Sequence, residues 1–255
     1  DRGWCRSRRD RMTDAALHRL GGDGPDVLLI HGFGADRLSW LALAPQLFPF
    51  ATVWAAEYAG HGTAGNDVGD GTPAAFATAL ETEIAGRLTQ PLVVGHSLGG
   101  AVALVLAARG VVDATGLVLL APAGLTDIPD RSFIDQLPEL AEGDAAFALL
   151  QQLVVRKVLI TRRMADGFVE SLADEARRTA LRRIAAALKS GAPPAPFPPA
   201  IPFCLLWGTA DVIVPPPLVP TPGLRMLPEV GHLPQVEAVG EGVEAIRERL
   251  DPHSP

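Results

Sequence analysis

A serine hydroxyl is a poor nucleophile at neutral pH and needs a base beside it. Ser97 sits in a setting suited to that chemistry, within Gly95-His96-Ser97-Leu98-Gly99, a G-x-S-x-G stretch. Apolar residues 91–94 precede it, and residues 98–109, rich in Ala, Val and Leu, follow. A strand that turns sharply into a helix lifts the hydroxyl off the strand end, and small neighbours allow the tight backbone. The helix start also points free N–H groups and a positive dipole end at developing negative charge. The competing reading is a Gly-rich turn with an incidental serine, and the flanking strand and helix patterns argue against it.

Six histidines compete for the role of base. His253 lies in the tail and His18 on an edge strand, and both read as solvated. His61 sits between glycines and reads as fixing its turn. His96 adjoins Ser97, and neighbours on a tight turn point apart. His31 follows a buried strand and reads as a brace for the loop there. His232 remains, after the last strand and before the last helix, on the same sheet edge as Ser97. An imidazole base needs an acid to hold its tautomer and stabilise its cation. Asp211, just past the strand at 203–207, is the candidate. Asp127 is the nearest rival, and Glu237 reads as part of the final helix. For an oxyanion, the backbone N–H of Leu98 is one donor. The N–H of Phe33, in His31-Gly32-Phe33-Gly34, is the second candidate.

These residues must be positioned by a sheet. Short apolar runs at 27–30, 52–56, 91–94, 116–120, 203–207 and 224–227 read as strands, with residues 15–20 a weaker one. Helical patterns cover 38–47, 72–88, 98–109 and 237–250, with Thr72-Pro73 as a capped start. Alternation at this spacing predicts a mostly parallel sheet with helices on both faces. The rhythm stops after Leu120. Residues 125–199 carry helical patterns without a strand and end in the Pro-rich stretch 193–199. The expected organisation is an extension at 1–11, an α/β core at 12–124 and 200–255, and a helical cap at 125–199. Arg177, Arg178, Arg182 and Arg183 read as a solvated face of a cap helix, with an anion-binding patch as the alternative.

The 255 residues suit one large α/β unit, and 48% apolar against 20% charged residues supports a filled core. A net charge of −7 argues against nucleic-acid binding. No apolar run is long enough for a membrane span. Cys5 and Cys204 form no framework, and Cys204 reads as a reduced, buried residue suited to the cytoplasm. Five arginines fall within residues 1–11, and with no apolar stretch after them this is not a secretory signal. The segment reads as a disordered extension. H-E-x-x-H, C-x-x-C and P-loop motifs are missing, so no metal, nucleotide or other cofactor is expected.

Five motifs in order resemble the α/β-hydrolase superfamily over about residues 15–250. They are His31-Gly32-Phe33-Gly34, Gly60-His61-Gly62, Gly95-His96-Ser97-Leu98-Gly99-Gly100, Trp207-Gly208-Thr209-Ala210-Asp211 and Gly231-His232. The resemblance implies a triad of Ser97, Asp211 and His232. The first strand of the sheet is hard to find in this sequence, so a sheet of seven strands or fewer is expected. Ala121-Pro122-Ala123-Gly124-Leu125 and residues 171–190 are similar to two groups. One is the carbon–carbon-bond hydrolases of aromatic ring cleavage. The other, which looks closer, is the acyltransferase component of the acetoin dehydrogenase complex. Its members carry a lipoyl domain, and nothing in this chain resembles one. Glu57 stands where the superfamily usually has Asp and reads as a loop detail. A serine nucleophile argues against haloalkane dehalogenase or epoxide hydrolase chemistry.

The implied activity is hydrolysis of a small or medium carboxylic ester, thioester or reactive ketone through an acyl-serine. The rivals are acyl transfer within a larger complex and a non-catalytic ligand-binding receptor on the same scaffold.

Overall fold

The computed structural model describes residues 15–128, 130–189, 195–197 and 199–251. The extension expected at 1–11 lies outside the described residues. Seven strands form one sheet: β1 (Ala15–Gly21), β2 (Asp26–Ile30), β3 (Thr52–Tyr58), β4 (Leu92–His96), β5 (Gly116–Leu120), β6 (Phe203–Gly208) and β7 (Leu224–Leu227). Their spatial order is β1-β3-β2-β4-β5-β6-β7. β1 runs antiparallel to β3, and every other pairing is parallel. The central strands are buried on both faces, which is why they read as unbroken apolar runs rather than alternating ones.

Alternate residues of β2 enter different cores. Leu28 and Ile30 face a core shared with α2 (Pro73–Ile84) and α3 (Leu98–Arg109). Val27 and Leu29 face one shared with α1 (Ala44–Leu47) and α9 (Val239–Leu250). Helices therefore cover both faces, as the strand–helix rhythm requires. Residues 98–106 of α3 are buried all round, so this helix is wedged against the sheet directly behind Ser97.

Three helix expectations change in detail. The pattern at 38–47 is a short 3-10 turn, Arg37–Trp40, followed by α1. The Asp36 side chain caps the first piece, and Pro45 starts the second. α2 stops at Ile84, two residues before Gly86 at φ 74. The last helix is split at Ala238, φ −133, into α8 (Pro234–Glu237) and α9.

Between β5 and β6 the chain forms α4 (Ser132–Gln136), α5 (Gly143–Leu150), α6 (Arg162–Ser171) and α7 (Glu175–Leu188). This insert packs over the loops at the C-terminal ends of the strands. Leu137 and Phe168 approach Gly34, Ala180 and Ile184 approach Gly60, and the Leu153 carbonyl accepts the His232 N–H at 2.8 Å. Among the described residues, no helix is long and apolar enough to cross a membrane.

Candidate active site

Ser97 stands between β4 and α3 at φ 52, ψ −118, a conformation that side chains rarely adopt. The surroundings enforce it. The Ser97 N–H donates to the Leu120 carbonyl at 2.9 Å, and the Ser97 carbonyl accepts from Gly100 at 2.9 Å and Ala123 at 3.0 Å. A Cβ on Gly99 would collide with the Ile30 carbonyl, so α3 can sit this close only with glycine there. The Leu98 N–H opens α3 without an intrahelical acceptor.

The loop after β2 comes within contact of Ser97. A Cβ on Gly32 would meet His96 Nδ1 at 2.8 Å and Ser97 Cβ at 3.2 Å. His61 braces this loop. Its Nδ1–H donates to the Ala59 carbonyl at 3.0 Å, and its Nε2 accepts the Gly34 N–H at 3.0 Å. Both ring nitrogens are thus committed in the neutral form. Burial holds the His61 pKa well below the usual histidine value, and the neighbouring His31 adds to the effect. Phe33 N–H, one residue before Gly34, takes no acceptor among the described residues. His31 stacks on Tyr58 with ring centroids 4.5 Å apart, and the Tyr58 hydroxyl donates to the His31 carbonyl at 2.9 Å. His31 and His61 therefore brace their loops, as their positions suggested.

His232 and Asp211 meet as a buried pair. His232 Nδ1–H donates to Asp211 Oδ2 at 2.7 Å. Asp211 Oδ1 accepts the Ile213 and Val214 N–H groups, each at 2.9 Å. These bonds set the carboxylate's direction and leave His232 Nε2 as the ring's free nitrogen. His96 supports the histidine from below, its Nε2–H donating to the His232 carbonyl at 2.8 Å. Burial, followed by the charge of His232, lowers the His96 pKa well below its ordinary value. Ser97 and His232 line one cavity of about 70 Å3, together with Phe33, Leu153, Ile213 and Gln235. Among the described residues, Ser97 Oγ makes no hydrogen bond to His232, whose bonded ring nitrogen is Nδ1. Asp127, the rival acid, is exposed and lines a different cavity.

Several supporting residues escaped the sequence reading. Glu57 is no loop detail. It is fully buried at the end of β3, where it accepts from Thr63 N–H at 2.8 Å, Thr63 hydroxyl at 2.7 Å and Arg37 Nη1 at 2.9 Å. His18 is not simply solvated, since its Nε2 lies 3.0 Å from Glu57 Oε2. Burial pushes the Glu57 pKa up, but the Thr63 and Arg37 donors outweigh it and hold the pKa at about 2. A depressed carboxylate stabilises the fold above its unfolded value near 4.5, and that stabilisation is lost as pH falls towards about 2. Glu57→Gln should therefore melt on the order of 5 °C lower at pH 7. It should also show a flatter loss of Tm across that acid window. A Gln variant whose melting curve tracks the parent's from neutral to acid pH would overturn this.

Glu237 closes α8 rather than starting the final helix. Its buried carboxylate accepts the N–H groups of Gly231 at 2.8 Å, Val155 at 3.0 Å and Arg156 at 2.9 Å. On α7, Arg178 is a clamp, with its guanidinium on the Pro138, Leu140 and Leu172 carbonyls. Arg182 pairs with Glu139 and Glu175. The solvated-face reading therefore fails for Arg178, whose partners are buried backbone groups. Cys204 is buried in β6. Among the described residues, no group of three or more His, Cys, Asp or Glu could hold a metal ion.

A serine on a strained strand-to-helix turn shares a cavity with a buried His–Asp pair at the C-terminal edge of a mostly parallel sheet, the place where open α/β sheets carry their sites. The chain belongs to the alpha/beta hydrolase family, whose model matches residues 27–245. It is 29% identical over 232 residues to the dihydrolipoyllysine-residue acetyltransferase component of the acetoin cleaving system of Pseudomonas putida. That match covers 86% of this chain but only 62% of the relative's length. Its fold is similar to a meta-cleavage product hydrolase of Pseudomonas fluorescens IP01, with a TM-score of 0.81 at 18% identity over 94% of this chain and 95% of the other. A thermophilic esterase of Thermogutta terrifontis gives 0.74 at 24% identity over 93% of each chain. Of the two groups named by the sequence resemblance, one thus reappears as a sequence relative and the other as a likeness of fold.

Proposed function

We propose that the protein is a serine hydrolase that cleaves a small or medium carboxylic ester, thioester or reactive ketone. The observation that supports this most is the buried His232–Asp211 bond of 2.7 Å beside the cavity that Ser97 lines. In this reading Ser97 Oγ attacks the carbonyl carbon while His232 Nε2 takes the hydroxyl proton. Asp211 holds the imidazole in the tautomer that leaves Nε2 free to accept. The oxyanion is received by the Leu98 and Phe33 N–H groups, and each such donor is worth about 3 kcal/mol in the transition state. His232 then returns the proton to the departing group, and the acyl chain stays on Ser97. A water molecule, deprotonated by the same Nε2, releases the acid. The insert acts as a cap that shields this sequence of steps from bulk water.

A fluorophosphonate probe tests the nucleophile. It should label Ser97 in the folded protein and not after heat denaturation. Labelling at another residue would sink the assignment.

Acyl transfer is the second reading, favoured by the acetyltransferase-component relative at 29% identity. With a p-nitrophenyl ester and rising dihydrolipoamide, hydrolysis predicts free acid as the main product and a rate that barely responds to the thiol. Mainly S-acylated product, formed with saturable acceleration, would reverse the ranking.

A further inference from the structure

His96 is the last residue of β4, the middle strand of the seven, and stands next to Ser97 in the chain. Its ring is buried, and both edges of it are placed. Nε2–H donates to the His232 carbonyl at 2.8 Å, across 136 residues of sequence. The other edge lies against Gly32, where a Cβ would stand 2.8 Å from Nδ1 and 3.1 Å from Cε1. The ring is tilted against that of His232, with centroids 4.9 Å apart. One side chain, rooted beside Ser97, therefore touches both the loop that carries Phe33 and the main chain of His232.

The chemistry of the ring says what an imidazole adds here. With its proton on Nε2, the ring leaves Nδ1 bare, and that nitrogen is buried without a hydrogen-bond partner. An unpaired buried acceptor destabilises a fold, and a phenyl or aliphatic group would fill the space without one. The gain lies on the opposite edge, in the donor. Burial also keeps this ring neutral, so it sets no second positive charge beside His232 when that residue takes up a proton.

The partners of His232 show where that donor counts. Its N–H is held by the Leu153 carbonyl of the insert, and its Nδ1–H by Asp211 beyond β6. Neither partner belongs to the segment that carries Ser97. The bond from His96 does, and among the described residues the His232 carbonyl accepts no other. Two groups that exchange a proton must stay within hydrogen-bond reach, and a displacement of about 1 Å can cost on the order of 100-fold in rate.

We infer that His96 is a positioning residue whose Nε2–H, through the His232 carbonyl, holds the base at working distance from Ser97. This rests on the serine-hydrolase reading and deepens it. His96 exchanges no proton itself. It acts through His232, and the donor rather than the bulk of the ring carries the effect.

The test uses the whole chain, p-nitrophenyl butyrate and three variants. His96→Phe keeps a flat ring and loses the donor. His96→Met also lacks the donor and is flexible enough to fit beside Gly32. His96→Gln offers an amide N–H in place of Nε2–H. His96→Phe should lower kcat by on the order of 10–100-fold, with KM within about twofold of the parent's. A fluorophosphonate should label its Ser97 more slowly by a similar factor, because that reaction draws on the same Ser–His pair. His96→Gln should recover most of the lost kcat. A folded donorless variant with the parent's kcat, an equal loss in His96→Gln, or a loss that falls on KM would each overturn the inference. Loss of the cooperative melt in both donorless variants would do so too, because His96 would then be holding the fold rather than the base. Labelling of the parent keeps the failures apart. Ser97 labelled equally fast in the parent and in His96→Phe sinks only the role of His96, whereas no labelling of the parent sinks the serine-hydrolase reading itself.

Discussion

Ser97→Ala is expected to lower kcat for any turned-over ester by on the order of 10³-fold or more, with the melting temperature nearly unchanged. The side chain lost is small, and the bonds that hold the turn are made by the Ser97 backbone N–H and carbonyl rather than its hydroxyl. Alanine at φ 52 is no more strained than serine, so the elbow should persist without its nucleophile. Removing further members of the proposed triad should add little, because residues that act as one unit are not additive. Steady-state rates for Ser97→Ala and for the double variant with His232→Ala check both points. An alanine variant with most of its activity left would mean that the acyl group never rests on Ser97.

Asp211→Asn should cost on the order of 10²–10⁴ in kcat while leaving the fold intact. Local hydrogen bonding makes this variant unusually informative. The Ile213 and Val214 N–H groups both need an oxygen at the Oδ1 position. An asparagine must satisfy them with its carbonyl and so turns its NH2 towards His232 Nδ1. That forces the imidazole into the tautomer with its proton on Nε2, where it can no longer accept from Ser97. Asp127→Asn is the control, because that carboxylate is exposed and away from His232. Should Asp127→Asn be crippled and Asp211→Asn nearly normal, the acid lies at the earlier strand end.

The strands and the residues at their C-terminal ends were readable because each is announced by local chemistry. A short apolar run is bounded by turn residues, and the candidate site residue follows within a few positions. Thus the sequence places Ser97, Asp211 and His232 after three strands of one sheet, and the folded chain brings the last two within 2.7 Å. The supporting polar residues have no such announcement. Glu57 meets His18 across 39 residues, and Glu237 reaches Val155 across 82. Neither partner carries a local sign of the other. A buried carboxylate held by distant N–H groups looks, in one dimension, like any helix-end or loop acid. The helix expected at 38–47 failed for a local reason. Asp36 and Pro45 each start a separate short turn, and the apolar spacing between them is met by both pieces together.

The Glu237 carboxylate bears on how freely the insert could be exchanged for another protein's. It fastens Val155 and Arg156 of the insert to Gly231, the residue before His232. The Leu153 carbonyl adds a second fastening, directly to the His232 N–H. The insert is therefore not a modular part that can be recombined at its two junctions. A graft joined neatly near residues 125 and 199 would still have to present a carbonyl and two amides at the right height above α8. Without them it would leave a buried carboxylate short of donors beside the histidine. Recombination at this scaffold has to keep residues 153–156 and 231–237 from the same parent, as one inherited block.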